Sequence, residues 1–229
     1  MKIPSKNRIL SLILKAAVVI SAALGVALSA YASRTVFMGG SRVFMYFTIQ
    51  SNIAIAVICL IGAVLLLNGR AVSRTWSVIK YVGTVSITLT GAVFCFILAP
   101  TLGAFAWNTQ NVLTHVVVPL AAIVDFFVTG VFADFRKKDV FWVVLPPLAY
   151  AVYAGIGYAA GWEFSEGIHY PYFFLNWGSP AGAFGFTDGL PYMGCVWWIL
   201  VLLFLLLGVG TLYLRIIDGL KKSRRPSAK

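Results

Sequence analysis

The chain has 229 residues, of which 60% are hydrophobic and only 11% charged, a balance that excludes a water-facing globular surface. Its formal net charge of +11 points to nucleic acid only if the basic residues gather on a folded patch, so their positions along the chain decide what it means. The three cysteines, Cys59, Cys95 and Cys195, lie in apolar runs without C-x-x-C spacing, which argues against a disulfide framework or a thiolate metal site and leaves them as packing residues.

A helix crosses a bilayer core with about 20 apolar residues. Six stretches reach that length, roughly 9–31, 44–68, 77–100, 112–133, 141–161 and 191–215. The expected fold is all-α, a polytopic membrane protein with six transmembrane helices in one domain over 1–215 and a basic tail at 216–229. Short connections make neighbouring spans antiparallel. In the first stretch "SAYAS" (29–33) holds an A-x-A pattern, so residues 1–32 read either as a first span or as a cleaved signal peptide with an unusually long apolar core.

The basic residues sort by side. Lys2, Lys6, Arg8 and Lys15 lie at the first span, Arg70, Arg74 and Lys80 between the second and third, and Arg136, Lys137 and Lys138 between the fourth and fifth. Arg215, Lys221, Lys222, Arg224, Arg225 and Lys229 close the chain, and of the 18 Lys and Arg only Arg34 and Arg42 fall on the opposite side. Basic flanks stay cytoplasmic, which predicts cytoplasmic termini, a cytoplasmic-membrane location, and outer loops at 32–43, 101–111 and 162–190. The charge is then a topology signal with affinity for anionic lipid headgroups, and nucleic acid drops out as a partner.

The second span opens "FMYFTIQSN", with Thr48, Ser51 and Asn52 on one stripe (i, i+3, i+4) that should face protein or a wet cavity rather than lipid. Thr48 lies about 6 Å below the outer surface at 1.5 Å per residue, and His115 in the fourth span lies at a similar depth. A threonine hydroxyl beside an imidazole is a nucleophile with its base, and Ser51 or Asn52 would serve as donors to an oxyanion. A structural reading competes, because membrane threonines often bond back to their own helix and a lone histidine often makes one interhelical bond. Asp125, read as the sole acidic residue inside a span, is about 15 Å deeper than His115 and cannot orient it. It matches Lys15 in depth instead, which suggests a structural ion pair, with snorkelling as the other fate of Lys15.

Gly157-x-x-x-Gly161 in the fifth span has the small-xxx-small pattern of helix packing. The long connection 162–190 carries nine aromatics, Trp162, Phe164, Tyr170, Tyr172, Phe173, Phe174, Trp177, Phe184 and Phe186, and reads as an interfacial belt, a lid over the bundle, or both. His169, beside Tyr170, reads first as a loop anchor. Glu163, Glu166 and Asp188 match no calcium loop. There is no P-loop, dinucleotide fingerprint, G-x-S-x-G elbow or His-x-x-x-His pair.

Taken together, "YFTIQSN" around Thr48, "LTHVVVP" around His115 with Asp125 ten residues on, and "HYPYFFLNW" at 169–177 resemble the androgen-induced protein family in its prokaryotic six-span branch, over about residues 44–215. The resemblance implies an integral-membrane hydrolase of fatty-acid esters of hydroxy fatty acids. It assigns Thr48 as nucleophile and His115 as base; Ser51, Asn52, His169 and Tyr170 are expected as the substrate-binding residues beside them. Asp125 stands where animal members carry glutamate, and the residues after Thr48 depart from the animal pattern, which leaves the substrate open. Such a reaction needs no metal or organic cofactor, and its partner is a membrane lipid. Two other classes stay open: a small-molecule or proton-coupled transporter with Asp125, Lys15 and Tyr153 as a polar track, and a non-catalytic scaffold.

Overall fold

In the computed structural model, which describes residues 3–32, 34, 40–70 and 72–224, six helices are long and apolar enough to cross a membrane. They are α1 (Ser5–Ala32), α2 (Phe47–Leu67), α3 (Arg74–Trp107), α4 (Thr109–Gly130), α5 (Lys137–Ala159) and α6 (Cys195–Ser223). Even α2, at 21 residues, reaches about 31 Å, the thickness of a bilayer core. The chain has the architecture of a multi-pass membrane protein. Large apolar side chains on the outward faces, such as Ile13, Ile20 and Phe204, are exposed, as lipid-facing residues are. Lys2, Ser33, Arg225 and Lys229 lie outside the described residues, as does 35–39 of the first loop.

Local chemistry sets the helix ends. Ser73 caps α3 by accepting from the Trp76 amide at 3.1 Å, and Asn108 caps α4 by accepting from Asn111 at 2.9 Å. Past the end of α2, Gly69 takes φ +63°, a left-handed conformation that glycine adopts without steric cost. Both prolines at the start of the α-helical part of α5, Pro146 and Pro147, follow a tighter 3-10 opening over Lys137–Val144.

Helices α1 to α4 pack as one group, α1 against α2 and α4, and α3 against α2 and α4. Val18, Ala22, Ile55, Cys59, Ile87, Val118 and Ala122 form its core. Helices α5 and α6 lean on the α3 side, where Tyr81, Phe126, Leu206, Tyr213 and Ile217 make a second core. The start of α1 and the end of α6 lie at one end of the bundle, here the terminal end: Asn7 donates to the Val128 carbonyl and Lys221 to that of Ala133. At the opposite end, the loop end, sit the connections 40–46 and 160–194.

Several expectations are revised. Helix α6 runs on to Ser223 and buries Ile217 against Gly130, so 216–223 continues the last helix rather than forming a separate tail. Asp139 lies in the first turn of the fifth helix, which begins at Lys137, and is buried. Arg74 donates to both oxygens of Asp139, at 2.5 and 2.7 Å, and the Arg136 amide adds a third bond at 2.8 Å. Gly157 faces the rings of Trp162 and Phe164 rather than another span, and Gly161 ends the helix with φ +70°. The long connection divides. Phe164, Phe174 and Leu175 are buried in the bundle, while Phe184 and Phe186 stay exposed near the surface. All three cysteines are free thiols.

Candidate active site

Two proline-linked irregularities shape the loop end. Pro100 and Pro119 have no N–H for the carbonyls four residues earlier, Phe96 and His115. In both helices the turn upstream widens to i→i+5 bonding. The Ala99 amide bonds to Phe94 O in α3, and the Val118 amide to Leu113 O in α4. The helices approach closely here because Gly91 has no side chain. A Cβ on it would stand 2.8 Å from His115 O and 3.2 Å from Pro119. The two wide turns face one another, and the Phe94 ring stacks on the His115 imidazole with centroids 3.8 Å apart.

His115 is buried, and its Nδ1 lies 3.0 Å from Asn111 O and 3.0 Å from Thr114 Oγ1. A carbonyl can only accept, so Nδ1 carries the hydrogen and Nε2 the lone pair. Among the described residues Nε2 makes no hydrogen bond, and the imidazole borders a cavity of about 510 Å³. The Asn111 carbonyl thus fixes the tautomer, a task that a carboxylate performs in many hydrolases.

Thr48 borders the same cavity from the first turn of α2. Tyr46, at the N-cap, provides no side-chain cap. The phenol of Tyr172 substitutes. Its oxygen accepts from the Thr48 amide at 3.2 Å and lies 3.2 Å from Thr48 Oγ1. Loss of water around the partly buried Tyr172 holds its pKa above the ordinary value, so it stays a neutral hydroxyl. Tyr46 beside it is pushed up to about 12, mainly by burial. Tyr172 also rests edge-on against Tyr46 and stacks on Phe174, which locks the phenol in place. On its other side Thr48 borders a smaller cavity of about 60 Å³, walled by Leu89, Val93, Leu202 and Leu203.

Thr48 and His115 share this cavity wall but are not hydrogen-bonded to each other. The other expected site residues fall elsewhere. Ser51 donates to Thr48 O, pairs with Thr90 at 2.7 Å and borders a different groove between α2, α3 and α5. Asn52 is wholly buried, and its amide donates to Thr48 O and Thr114 O. Neither side chain is free to serve an oxyanion in the His115 cavity. They tie α2 to α3 and α4 because a helix stripe of three residues spans more arc than one cavity does. His169 is exposed and donates to Trp162 O at 3.1 Å, away from the cavity, whereas Tyr170 is on its wall. The residue missed by sequence reasoning is Tyr172. A tyrosine preceding Phe173 and Phe174 in an aromatic loop gives no signal that sets it apart.

At the terminal end Lys15 and Asp125 do form an ion pair, at 2.6 Å. Lys80, read as a loop charge, instead reaches the same carboxylate oxygen at 2.6 Å from inside α3. Tyr153 packs at the loop end against Tyr150, Trp162 and Phe164, so it makes no continuous track with that pair. Among the described residues no group of three His, Cys, Asp or Glu is placed to hold a metal ion. No family model, curated protein or solved structure matches the chain.

Proposed function

We propose that the protein is an intramembrane hydrolase of lipid esters, with Thr48 as nucleophile and His115 as general base. The supporting observation is a helix-terminal threonine hydroxyl and an imidazole nitrogen with a free lone pair on the wall of one cavity. Hydrogen bonds between such groups commonly tighten only when substrate is bound.

His115 Nε2 takes the Thr48 hydroxyl proton as Oγ1 attacks the ester carbonyl carbon. The carbonyl oxygen becomes an oxyanion next to the N-terminus of α2, whose dipole favours negative charge there. The Tyr172 hydroxyl, whose oxygen accepts from the Thr48 amide at 3.2 Å, supplies a donor. The imidazolium returns its proton to the leaving alkoxide, which departs as an alcohol. Water then attacks the acyl-threonine with His115 again as base, releasing the acid and restoring the hydroxyl. The apolar pocket on the far side of Thr48 suits an alkyl chain, and Tyr170, Pro171 and Phe173 line the larger cavity. With basic flanks placed in the cytoplasm, substrate enters from the outer leaflet.

A fluorophosphonate probe and a lipid-ester assay on the purified protein test this. The wild type should be labelled and active, and Thr48→Ala and His115→Ala neither, at unchanged thermal stability. Equal labelling and turnover in all three would eliminate the reading.

A further inference from the structure

The terminal-end cluster has one charge too many. Lys15 and Lys80 each place an ammonium 2.6 Å from Asp125 Oδ2, and Ser11 donates to Oδ1 at 2.5 Å. The carboxylate side chain is wholly buried and the two lysine side chains are 4% and 10% exposed. Among the described residues no other acidic side chain pairs with either lysine. Two cations against one anion leave a net positive charge inside an apolar bundle, where an uncompensated ion is costly.

Donor counting shows where compensation belongs. Lys80 uses its three N–H groups on Asp125 Oδ2, Asp125 O and Thr129 Oγ1. Lys15 uses two, on Asp125 Oδ2 and Ser11 Oγ, and its third has no acceptor among the described residues. The Trp76 indole N–H also lacks an acceptor there. Gly62 brings these groups together: a Cβ on it would lie 2.9 Å from Lys15 Cε and 3.7 Å from Trp76 Nε1. Both lysines, Trp76, Ser77 and Thr129 wall a cavity of about 40 Å³ that reaches the terminal end past Ile3 and Phe132. That volume holds on the order of three water-sized particles. It suits a halide or nitrate.

We propose that this cavity binds one small monovalent inorganic anion of chloride size, held by Lys15 and the Trp76 indole and balanced against the Lys15–Asp125–Lys80 cluster. The site is independent of the hydrolase reading, since it lies at the opposite end of the bundle.

The test uses the full chain in detergent, exchanged into sodium gluconate, with chloride, bromide or nitrate replacing gluconate at constant ionic strength. The expected result is a saturable rise in Tm of about 5 °C at a hundred times the dissociation constant, or one chloride per chain retained through exchange. Lys15→Met leaves a balanced Lys80–Asp125 pair and should fold while losing either signature. Trp76→Phe, which removes only the indole donor, should weaken the anion affinity about tenfold. Identical Tm in gluconate and chloride with no retained ion would overturn the proposal. So would an undiminished response in Lys15→Met.

Discussion

The two ends of the bundle use buried polar groups in opposite ways. At the terminal end Ser11, Lys15, Lys80, Asp125 and Thr129 are saturated with one another, apart from one ammonium N–H. At the loop end Thr48, Tyr172 and His115 are held by one or two bonds each, and the imidazole borders a cavity. A saturated cluster fixes helices in register, while a partly satisfied one retains groups for chemistry. The lesson is to ask how many lone pairs and protons of a buried polar residue are already spent, rather than whether it is buried.

Substitutions sharpen that contrast. The largest effect expected is on turnover: Thr48→Ala or His115→Ala should lower lipid-ester hydrolysis by roughly 10⁴-fold, with the double variant no worse than either, since the two act as a unit. A steady-state assay with Tm as control checks this. Next, Asp125→Ala strands two ammonium groups and should cost about 3–5 kcal/mol of stability, read by thermal unfolding in detergent. Tyr172→Phe removes the oxygen bonded to Thr48 and should lower kcat about 100-fold with little change in KM, measured on one ester series. Gly91→Ala forces α3 away from the His115 carbonyl and should cost about 1–3 kcal/mol along with activity. The smallest is Arg42→Gln, which breaks the half-exposed 2.6 Å pair with Glu163 and should shift stability by less than about 1 kcal/mol. If the terminal-end variants changed KM, or the Thr48, His115 and Tyr172 variants only Tm, the contrast between the two ends would fail.

The six spans were legible because length and hydrophobicity alone define a helix in lipid. Depth counting brought Lys15 to Asp125 and Thr48 to the level of His115, since a helix rises evenly. Lys80 was not legible: a lysine near a span's end reads as an interfacial cation, and only the packing of α3 on α4 turns it inward. Ser51 and Asn52 were correctly read as facing protein, but periodicity does not say which neighbour, and they bond to Thr90 and to backbone carbonyls instead. Pro100 and Pro119 were the unused signals. Each removes one helix donor next to the candidate site, and the widened turns beneath them aim Phe94 and His115 at each other.

The bond from Thr48 to Tyr172 joins residues 124 positions apart. At ribosomal speeds of about 5–20 residues per second, the phenol emerges roughly 6–25 s after the threonine. A nascent chain already holding four inserted helices therefore carries the hydroxyl and the imidazole without their organiser. The pocket is completed only once the fifth helix and the segment behind it have left the ribosome, so the Thr48–Tyr172 pairing forms late in biosynthesis.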